Sequence, residues 1–261
     1  MKLTPRRVRL FQEKILAYFR VHKRDLPWRE TEDPYQILVS EIMLQQTQAE
    51  RVVLKYHNFL AQFPTVQTLA DAPVGEVLKA WQGLGYNRRA LHLKRAALIL
   101  SREHGGEVPR SFAALDALPG VGAYTASAVL AFAHNEPTVF IETNIRTVFL
   151  HHFFLTRRKV ADTEILKLVK ETLPTKDARE WYSALMDYGA MLKRTVGNPN
   201  VKSAQYAKQS RFKGSRRELR GEILRQALRG AVKETGAVDI FSDLVSEGFL
   251  QKKGSDFVLA S

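Results

Sequence analysis

Apolar residues recur at helical spacing through most of residues 1–195, and this periodicity is the strongest constraint on the fold. They fall at i, i+3, i+4 and i+7 in RVRLFQEKILAYFRVH, SEIMLQQTQAERVVLKYHNFLAQF, VGEVLKAWQGLG, RRALHLKRAALILSREHG, AYTASAVLAFAH, TNIRTVFLHHFF, TEILKLVKETL and AREWYSALMDYGAMLKR. Breakers such as Pro64, Pro73 and Pro174 separate these segments. No sustained strand alternation occurs before residue 200. The pattern therefore predicts an all-α domain of roughly ten short helices with tight connections.

The character of the chain changes after Lys193. RTVGNPNVKSAQYAKQSRFKGS is polar, basic and aperiodic, which indicates a connector. RRELRGEILRQALRGAVKE predicts a helix, and DIFSDLVSEGFLQKKGSDFVLAS predicts a short helix, a strand, a KKGS turn and a second strand. This order resembles the end of a winged-helix module, and a packing appendage with a terminal hairpin is the alternative. We expect a helical domain over 1–195, a connector over 196–215 and a small DNA-binding or packing module over 216–261.

The formal charge of +13 and the pI near 10.0 favour a polyanionic partner, because each neutralised phosphate releases counterions. A solvated surface that maintains solubility is the alternative. Between residues 202 and 229 there are nine basic residues and two acids. The basic ones are Lys202, Lys208, Arg211, Lys213, Arg216, Arg217, Arg220, Arg225 and Arg229. This clustering favours an electrostatic footprint for nucleic acid.

Composition also excludes several classes. The longest apolar runs fall short of the roughly 20 residues of a membrane span. The N-terminal MKLTPRRVRLFQEKILAYF has no uninterrupted apolar stretch and predicts a charged amphipathic helix, not a signal peptide. The chain has no cysteine, which rules out disulfides, thiolate metal sites and cysteine-ligated iron–sulfur clusters within it. We expect a cytoplasmic, nucleoid-associated protein without contact to a membrane.

The segment LPGVG, from Leu118 to Gly122, joins two helical segments. Gly120 and Gly122 permit positive φ and close approach, so the N–H groups of the loop and the next helix N-terminus can face a phosphate. This is the helix–hairpin–helix signature, which holds a DNA backbone without reading its sequence. Taken alone, a Pro-Gly-x-Gly turn is more often a plain turn.

Two acids stand out for their surroundings. Glu142 follows PTVFI and directly precedes a helix, where an acid can simply favour the helix N-terminus. Glu41 lies in an apolar stretch between Val39 and Ile42; it either faces solvent or, if buried, acquires a raised pKa that suits proton donation. Cleavage of a glycosidic bond requires two carboxylates in different environments. One protonates the leaving group, and the other stays ionised beside the cation-like sugar.

Eight motifs over residues 8–192 occur in a typical order: LPWR, DPY, SEIMLQQTQ, FPTVQTLADAP, GLGYNRRA, LPGVG, TNIR and ALMDYGAM. This order resembles adenine DNA glycosylases of the MutY type, in the helix–hairpin–helix glycosylase superfamily. The resemblance implies a two-lobed helical fold with double-stranded DNA bound in the cleft. The target, adenine opposite 8-oxoguanine or guanine, would be flipped out of the stack for excision in base excision repair.

The resemblance also implies catalytic roles. Glu41 matches the acid that protonates N7 of adenine, and Glu142 matches the carboxylate that stabilises the oxocarbenium-like sugar and helps deliver water. Where the lyase branch of the endonuclease III type has a Schiff-base lysine, this chain has Tyr124, and a phenol cannot form that adduct. A monofunctional glycosylase is therefore expected. Tyr124 fits both adenine glycosylases and thymine/uracil mismatch glycosylases, and packing on the hairpin helix is its structural alternative.

Base and DNA contacts follow from the same resemblance. Trp28, Arg29 and Asp187 fall where the family lines its adenine pocket, and Gln45 and Tyr86 match residues that wedge beside the opposite, oxidised guanine. The full set of expected DNA-binding residues is Gln45, Gln46, Tyr86, Arg88, Gly120, Val121, Gly122 and Asn144. Structural alternatives exist: Trp28 as a core aromatic, Gln45 as an exposed helix residue, Tyr86 as a packing tyrosine and Asp187 as a helix-surface acid.

Three departures from the family pattern matter. Cluster-binding relatives have a cysteine just after the GAM motif, where this chain has Lys193, so a clusterless member is expected, with the basic connector holding DNA instead. The roughly 60 residues after position 200 are too few for the Nudix-like domain that helps relatives recognise 8-oxoguanine. The family's aspartate is here Glu142, and a carboxylate misplaced by about 1 Å can lose about 100-fold in rate.

Two other functions stay open. Tyr124 and the missing 8-oxoguanine-reading domain are compatible with a thymine/uracil mismatch glycosylase, whereas IMLQQTQ favours adenine. A non-catalytic DNA-binding relative is the second alternative, against which the retention of two acids argues. We expect a monomer with no cofactor. The resemblance allows a monovalent or divalent cation held by hairpin carbonyls, and no metal ligand is predicted from the residues themselves.

Overall fold

The computed structural model describes residues 2–234 and 236–260 and confirms a predominantly helical fold. Eleven α-helices precede Val196 in this described range. They are α1 Pro5–His22, α2 Pro34–Leu44, α3 Ala49–Gln62, α4 Val66–Asp71, α5 Val74–Trp81, α6 Arg88–Glu103, α7 Phe112–Asp116, α8 Ala123–His134, α9 Thr143–Phe153, α10 Asp162–Thr172 and α11 Ala178–Thr195. Two 3₁₀ turns, Pro27–Arg29 and Pro199–Lys202, add to them. No helix in the described part of the chain has the length and apolar character needed to cross a bilayer.

The last 46 residues hold a small mixed module, as the sequence predicts. Its elements are α12 Arg216–Ala227, β1 Val232–Lys233, α13 Val238–Ser246, β2 Leu250–Lys253 and β3 Asp256–Leu259. The strands form one antiparallel sheet in the order β1-β3-β2, with Val232 opposite Phe257 and Leu250 opposite Leu259. Helix, strand, helix and hairpin follow one another as in a winged-helix module.

Two predicted helices end earlier than their periodicity suggested. The segment 40–63 is not one helix: α2 stops at Leu44 and α3 starts at Ala49, because Gln46 adopts a left-handed φ of 56° that no α-helix continues. The helix predicted to reach residue 234 stops at Ala227, and two of the remaining residues pair with β3. In the second place a strand partner, β3, sets the local structure.

The chain divides into two compact units, each built from three segments. Unit 1 comprises Met1–Leu38, Arg110–Ala117 and Val121–Lys208. Unit 2 comprises Val39–Pro109, Leu118–Gly120 and Gln209–Ser261. The expected boundaries at residues 195 and 216 remain predictions.

The core of unit 1 is aromatic and centres on α1, α9 and α11. Phe11 packs against Phe149 at 5.5 Å and against Trp181 at 5.8 Å between ring centroids. A Cβ on Gly189 would lie 2.3 Å from the carbonyl oxygen of Asn144, so α11 and α9 meet at backbone distance there. Only glycine allows this approach, and it brings the end of α11 to the start of α9.

Unit 2 joins residues far apart in sequence. Phe59 packs edge-on against Phe63 and Trp81 in its helical part. The terminal module is fastened to α6 by Glu247, whose carboxylate accepts from Arg88 at 2.6 Å and from Arg220 at 2.6 Å. The Glu247 carbonyl accepts a further bond from Arg95 at 2.6 Å. These ion pairs and hydrogen bonds attach the module to a helix that precedes it by more than a hundred residues.

Candidate active site

Glu142 lies at the N-terminus of α9 and caps it with its own side chain. Its Oε1 accepts from the backbone N–H of Asn144 at 2.7 Å and of Ile145 at 2.9 Å. These two donors belong to the first turn, which has no intrahelical partners for them. The helix-capping alternative for Glu142 is thus observed, and it leaves Oε2 with a weaker contact to the Asn144 side chain at 3.3 Å.

The surroundings of Glu142 favour the neutral form of its carboxyl more than water does. Burial raises its pKa above the ordinary 4.5, and the two backbone hydrogen bonds and the charges of Lys193 and Arg146 only partly oppose this effect. Arg146 is itself held by Asp162 in a two-point contact of 2.8 and 2.6 Å. A carboxylate with a raised pKa accepts a proton from water more readily than an ordinary glutamate.

Asn144, expected to contact DNA, is engaged within the protein. Its Oδ1 accepts from Nζ of Lys193 at 2.7 Å, and its Nδ2 donates to Glu142. Lys193 comes from the last turn of α11, and burial lowers the pKa of its ammonium while the charge of Glu142 opposes that shift. Lys193 was singled out from sequence only as a departure from the family pattern, so its contact with Asn144 was missed.

The three residues expected to line a base pocket belong to unit 1, and two of them are joined. Arg29 donates to both oxygens of Asp187, at 2.9 and 2.8 Å. Arg24 adds its backbone N–H at 3.0 Å and its Nε at 2.6 Å. The Asp187 side chain is 1% exposed, so it is not the helix-surface acid of the structural alternative. Trp28 is buried in the adjacent 3₁₀ turn.

The ion pairs decide the protonation state of Asp187. Burial raises the pKa of its carboxyl, but the hydrogen bonds and positive charges of Arg29 and Arg24 outweigh burial and hold the pKa below 3.8. The carboxylate is ionised and receives four N–H donors. Its role as a base-contacting group remains a prediction, while its role in fixing Arg24 and Arg29 is observed.

Glu41 is 4% exposed in the last turns of α2, within unit 2. Its neighbours Val39 and Ile42 are fully buried, so of the two alternatives for this acid, burial is the one observed.

Arg89 was not singled out from the sequence. Its guanidinium donates hydrogen bonds to the end of α2 and to the glutamine turn that follows it, QQTQ at residues 45–48. Its Nη1 donates to the carbonyls of Ile42 and Met43, both at 2.8 Å, and its Nη2 to the hydroxyl of Thr47 at 3.0 Å. Burial lowers its pKa to about 10. The last carbonyls of α2 have no N–H partner from a further helical turn, and the charged Arg89 side chain supplies the donor instead. The arginine pair in GLGYNRRA is the signal that could have found it.

The hairpin and the glutamine turn contact each other inside unit 2. Gly120 has a φ of 78°, and a Cβ there would lie 2.7 Å from Cβ of His92. Gln45 and Gln46 lie in the turn after α2 and are not helical. Gln45 Nε2 donates to the Gly120 carbonyl at 3.2 Å, and Gln46 is exposed beside it. Gly122 has a φ of −102° and did not need positive φ, contrary to the expectation. It caps α8 in an exposed position, and Val121 is buried.

Tyr86 and Arg88, two further expected DNA contacts, are bonded to the terminal module. Tyr86 has a φ of 49° and is 37% exposed. Its hydroxyl accepts from Arg217 Nη1 at 2.9 Å and from the Gln209 side chain. Arg88 is exposed and paired with Glu247. Two residues after position 208, Gln209 and Arg217, therefore contact the tyrosine that was expected to wedge beside the opposite base.

Tyr124 is half-buried on α8. Its ring lies 5.6 Å from that of Phe140 at an interplanar angle of 74°. This edge-to-face contact is the packing role foreseen as its alternative.

Residues 39–174, which are 136 of 261, match the HhH-GPD superfamily base excision DNA repair protein family. The chain belongs to the HhH-GPD superfamily. An adenine DNA glycosylase of Mycolicibacterium smegmatis (strain ATCC 700084 / mc(2)155) is 35% identical over 230 residues, which cover 81% of this chain and 78% of that protein. One of Buchnera aphidicola subsp. Baizongia pistaciae (strain Bp) is 34% identical over 185 residues, covering 70% and 53%.

Solved HhH-GPD structures are also similar. A thermostable thymine-DNA glycosylase superposes with a TM-score of 0.63 at 30% identity, covering 70% of this chain and 86% of that one. The chain spans 53 to 59% of the length of several curated relatives that it matches.

The residues present do not fit the iron–sulfur cluster that some HhH-GPD relatives carry. The 261 residues include no cysteine, and Lys193 stands where the first cluster cysteine is expected. Among the described residues no group of three or more His, Asp or Glu side chains is arranged to hold a metal ion. The connector instead packs on α9 through Asn200, whose Nδ2 donates to Thr147 Oγ1 at 2.7 Å.

Proposed function

We propose that this chain is a monofunctional DNA glycosylase that flips out adenine mispaired with 8-oxoguanine or guanine and hydrolyses its N-glycosidic bond. It acts on double-stranded DNA as a monomer and without a cofactor. The observation that carries the proposal is Glu142: a half-buried carboxylate with a raised pKa at a helix N-terminus, in a chain similar to adenine DNA glycosylases.

In the proposed reaction the buried acid Glu41 is neutral and gives its proton to N7 of adenine. The bond between C1′ and N9 then breaks, and the base leaves with its electron pair without carrying a negative charge. Glu142, ionised, stabilises the positive charge on the sugar and takes a proton from the water that adds to C1′. The products are free adenine and an abasic site in an intact strand.

The DNA-binding part of the proposal rests on charge and on the hairpin. The net charge is +13, and nine basic residues against two acids lie between residues 202 and 229. Gly120 in left-handed conformation shapes a turn directly before α8, whose N-terminus has no side-chain cap and can meet a phosphate. Phosphate contacts of this kind give affinity without sequence preference.

A second candidate, excision of thymine or uracil from mismatches with guanine, has one specific observation in its favour. The similar solved structure named above is a thymine-DNA glycosylase, and Tyr124 is compatible with either activity. The two candidates share the fold and the proposed catalytic acids, so only the substrate separates them.

The test is single-turnover cleavage of labelled duplexes with A opposite 8-oxoguanine, A opposite G, T opposite G and U opposite G, with and without alkali. We expect alkali-dependent cleavage at A only. Cleavage at T or U instead moves the chain to the second candidate, and cleavage without alkali contradicts the monofunctional assignment.

Matched variants separate catalysis from binding. Glu142→Gln and Glu41→Gln are each expected to lower the single-turnover rate by about 100-fold or more while DNA affinity stays within a few-fold. Glu136→Gln removes a surface acid of unit 1 that pairs with Arg110, and it should leave the rate unchanged. Full activity in both Glu41→Gln and Glu142→Gln would reject the proposed chemistry.

A further inference from the structure

Hydrogen bonds join the end of α11 to Glu142, and the reaction outlined above gives no role to the residue at which they start. Lys193 Nζ donates to Asn144 Oδ1 at 2.7 Å, and Asn144 Nδ2 donates to Glu142 Oε2 at 3.3 Å. An amide has one accepting oxygen and one donating nitrogen. A cation bound to the oxygen therefore fixes the amide so that its NH₂ group faces the carboxylate.

The backbone packing makes this contact possible. Gly189 allows α11 to approach the carbonyl of Asn144 to a distance that any side chain would block. Lys193 lies four residues later, on the same face of the helix. The close approach at Gly189 thus carries the Lys193 side chain to the first turn of α9.

The positive charges near Glu142 also connect Lys193 to this carboxylate. Two cations act on Glu142, Lys193 from α11 and Arg146 from α9. Arg146 is already paired with Asp162 at the start of α10, and Arg24 acts on Lys193 as a neighbouring like charge. In the described part of the chain, no carboxylate forms an ion pair with Lys193 within 4 Å. Its charge is therefore not neutralised by a direct partner, and it favours the ionised form of Glu142.

We propose that Lys193 is a positioning residue for Glu142: its ammonium orients the Asn144 amide toward the carboxylate and supplies a charge that favours the ionised form of Glu142. This inference rests on the proposed function, in which Glu142 works as an anion. It also assigns a role to the lysine that stands where cluster-binding relatives have a cysteine.

The first test does not depend on activity. Glutamate labelled with ¹³C at the side-chain carboxyl is titrated by NMR, and the Glu142 resonance is assigned by its loss in Glu142→Gln. In Lys193→Met the titration midpoint should lie about one pH unit higher than in the wild-type protein, the size typical of one nearby opposite charge. Lys193→Gln keeps a donor for Asn144 without the charge and should show a similar shift.

The control is Arg194→Met, which removes a positive charge from the exposed neighbouring position. Its midpoint should equal that of the wild-type protein. Equal midpoints in the wild-type protein and in Lys193→Gln would overturn the proposal, and this variant decides the question even if Lys193→Met does not fold.

The second test is the pH profile of single-turnover adenine excision. The acid limb of Lys193→Gln should move to higher pH by the same amount as the NMR midpoint, with the rate recovering toward the wild-type value at alkaline pH. A rate loss that is equal at every pH indicates a structural role only and contradicts the proposal. If the wild-type protein cleaves none of the duplexes, the proposed function fails, while the NMR titration still decides the role of Lys193.

Discussion

Asp187 and Glu142 are carboxylates of the same unit, and they ionise in opposite environments. Asp187 receives four N–H donors from two arginines, and its pKa lies below the ordinary value. Glu142 receives two backbone N–H groups and a long amide contact, and its pKa lies above the ordinary value. Asp187 is buried and Glu142 is half-buried, so both carboxylates lose part of their hydration.

The difference lies in the charge of the donors. Cations held in good geometry offset the lost hydration of a buried carboxylate more fully than neutral donors do. Arg29 and Arg24 provide this for Asp187, which binds the 3₁₀ turn to α11. Neutral donors leave Glu142 partly uncompensated, so a developing positive charge nearby stabilises it further. Asp187 is thus paired with two arginines, whereas Oε2 of Glu142 accepts the 3.3 Å contact from the Asn144 side chain.

Of the proposed variants, Asp187→Asn should lower the free energy of unfolding most. Removing the carboxylate leaves Arg29 buried without a counter-charge, which costs about 3–5 kcal/mol in the free energy of unfolding. Urea denaturation followed by circular dichroism measures it. The control Glu136→Gln breaks an exposed pair with Arg110 and should cost at most about 1 kcal/mol. Equal losses in the two variants would show that Asp187 is not a structural ion-pair centre.

Gly189→Ala tests the backbone contact on which the Glu142 environment depends. The added methyl group meets the Asn144 carbonyl at 2.3 Å, so we expect a loss of about 1–3 kcal/mol from overpacking. Gly221→Ala is the matched control, because Gly221 lies inside α12 with nothing within 4 Å of a Cβ. It should gain about 0.5–1 kcal/mol. Thermal unfolding of the two variants gives opposite signs, and a stabilised Gly189→Ala would refute the close approach.

Glu142→Gln should change stability little at neutral pH, in contrast to Asp187→Asn. The amide oxygen of glutamine can still accept from the N–H groups of Asn144 and Ile145, and the cost of a buried charge disappears. We expect a change smaller than about 1 kcal/mol, the usual size of a helix cap. A loss as large as that of Asp187→Asn, measured under the same urea conditions, would place Glu142 among the structural acids.

The pH dependence of stability should have opposite signs at the two acids. Asp187 has a folded pKa below its unfolded value of 3.8, so its contribution is present above pH 3.8 and is lost as the pH falls through the folded pKa. Glu142 has a folded pKa above its unfolded value of 4.5. Its ionisation therefore costs nothing below pH 4.5 and reduces stability as the pH rises through the folded pKa.

Unfolding free energies of the wild-type protein and both variants, measured from acid to neutral pH, check these signs. The deficit of Asp187→Asn should shrink on acidification. Glu142→Gln should become more stable relative to the wild-type protein as the pH rises toward neutral. Parallel curves for the two acids would contradict the assignment of their environments.

Local pattern predicted most of the fold. Apolar periodicity and the caps that follow it placed α6 and α9 within a residue or two, and the KKGS turn placed β2 and β3. The misses have one cause. The break at Gln46 lies beside Gln45, whose side chain donates to a carbonyl of the hairpin, and β1 pairs with β3, so both involve partners that no sequence window contains.

For the site, the sequence named the residue types but not their partners. Resemblance pointed to Arg29 and Asp187 together, yet the second arginine, Arg24, is 163 positions from Asp187 and carries no motif signal. Arg89 and Lys193 act on carbonyl and amide groups, which leave no pattern in the sequence. Whether the predicted catalytic and DNA-binding residues perform those roles stays a prediction.

The attachment of the terminal module to α6 sets an order for biosynthesis. Unit 1 contains no segment beyond Lys208, so its segments have all been synthesised before the chain is finished. Unit 2 draws on Gln209–Ser261, and Glu247 must emerge from the ribosome before it can bond to Arg88 and Arg95. Until then α6 is without these contacts, and a stall in translation after residue 208 leaves a nascent chain with one unit complete and the other unfinished.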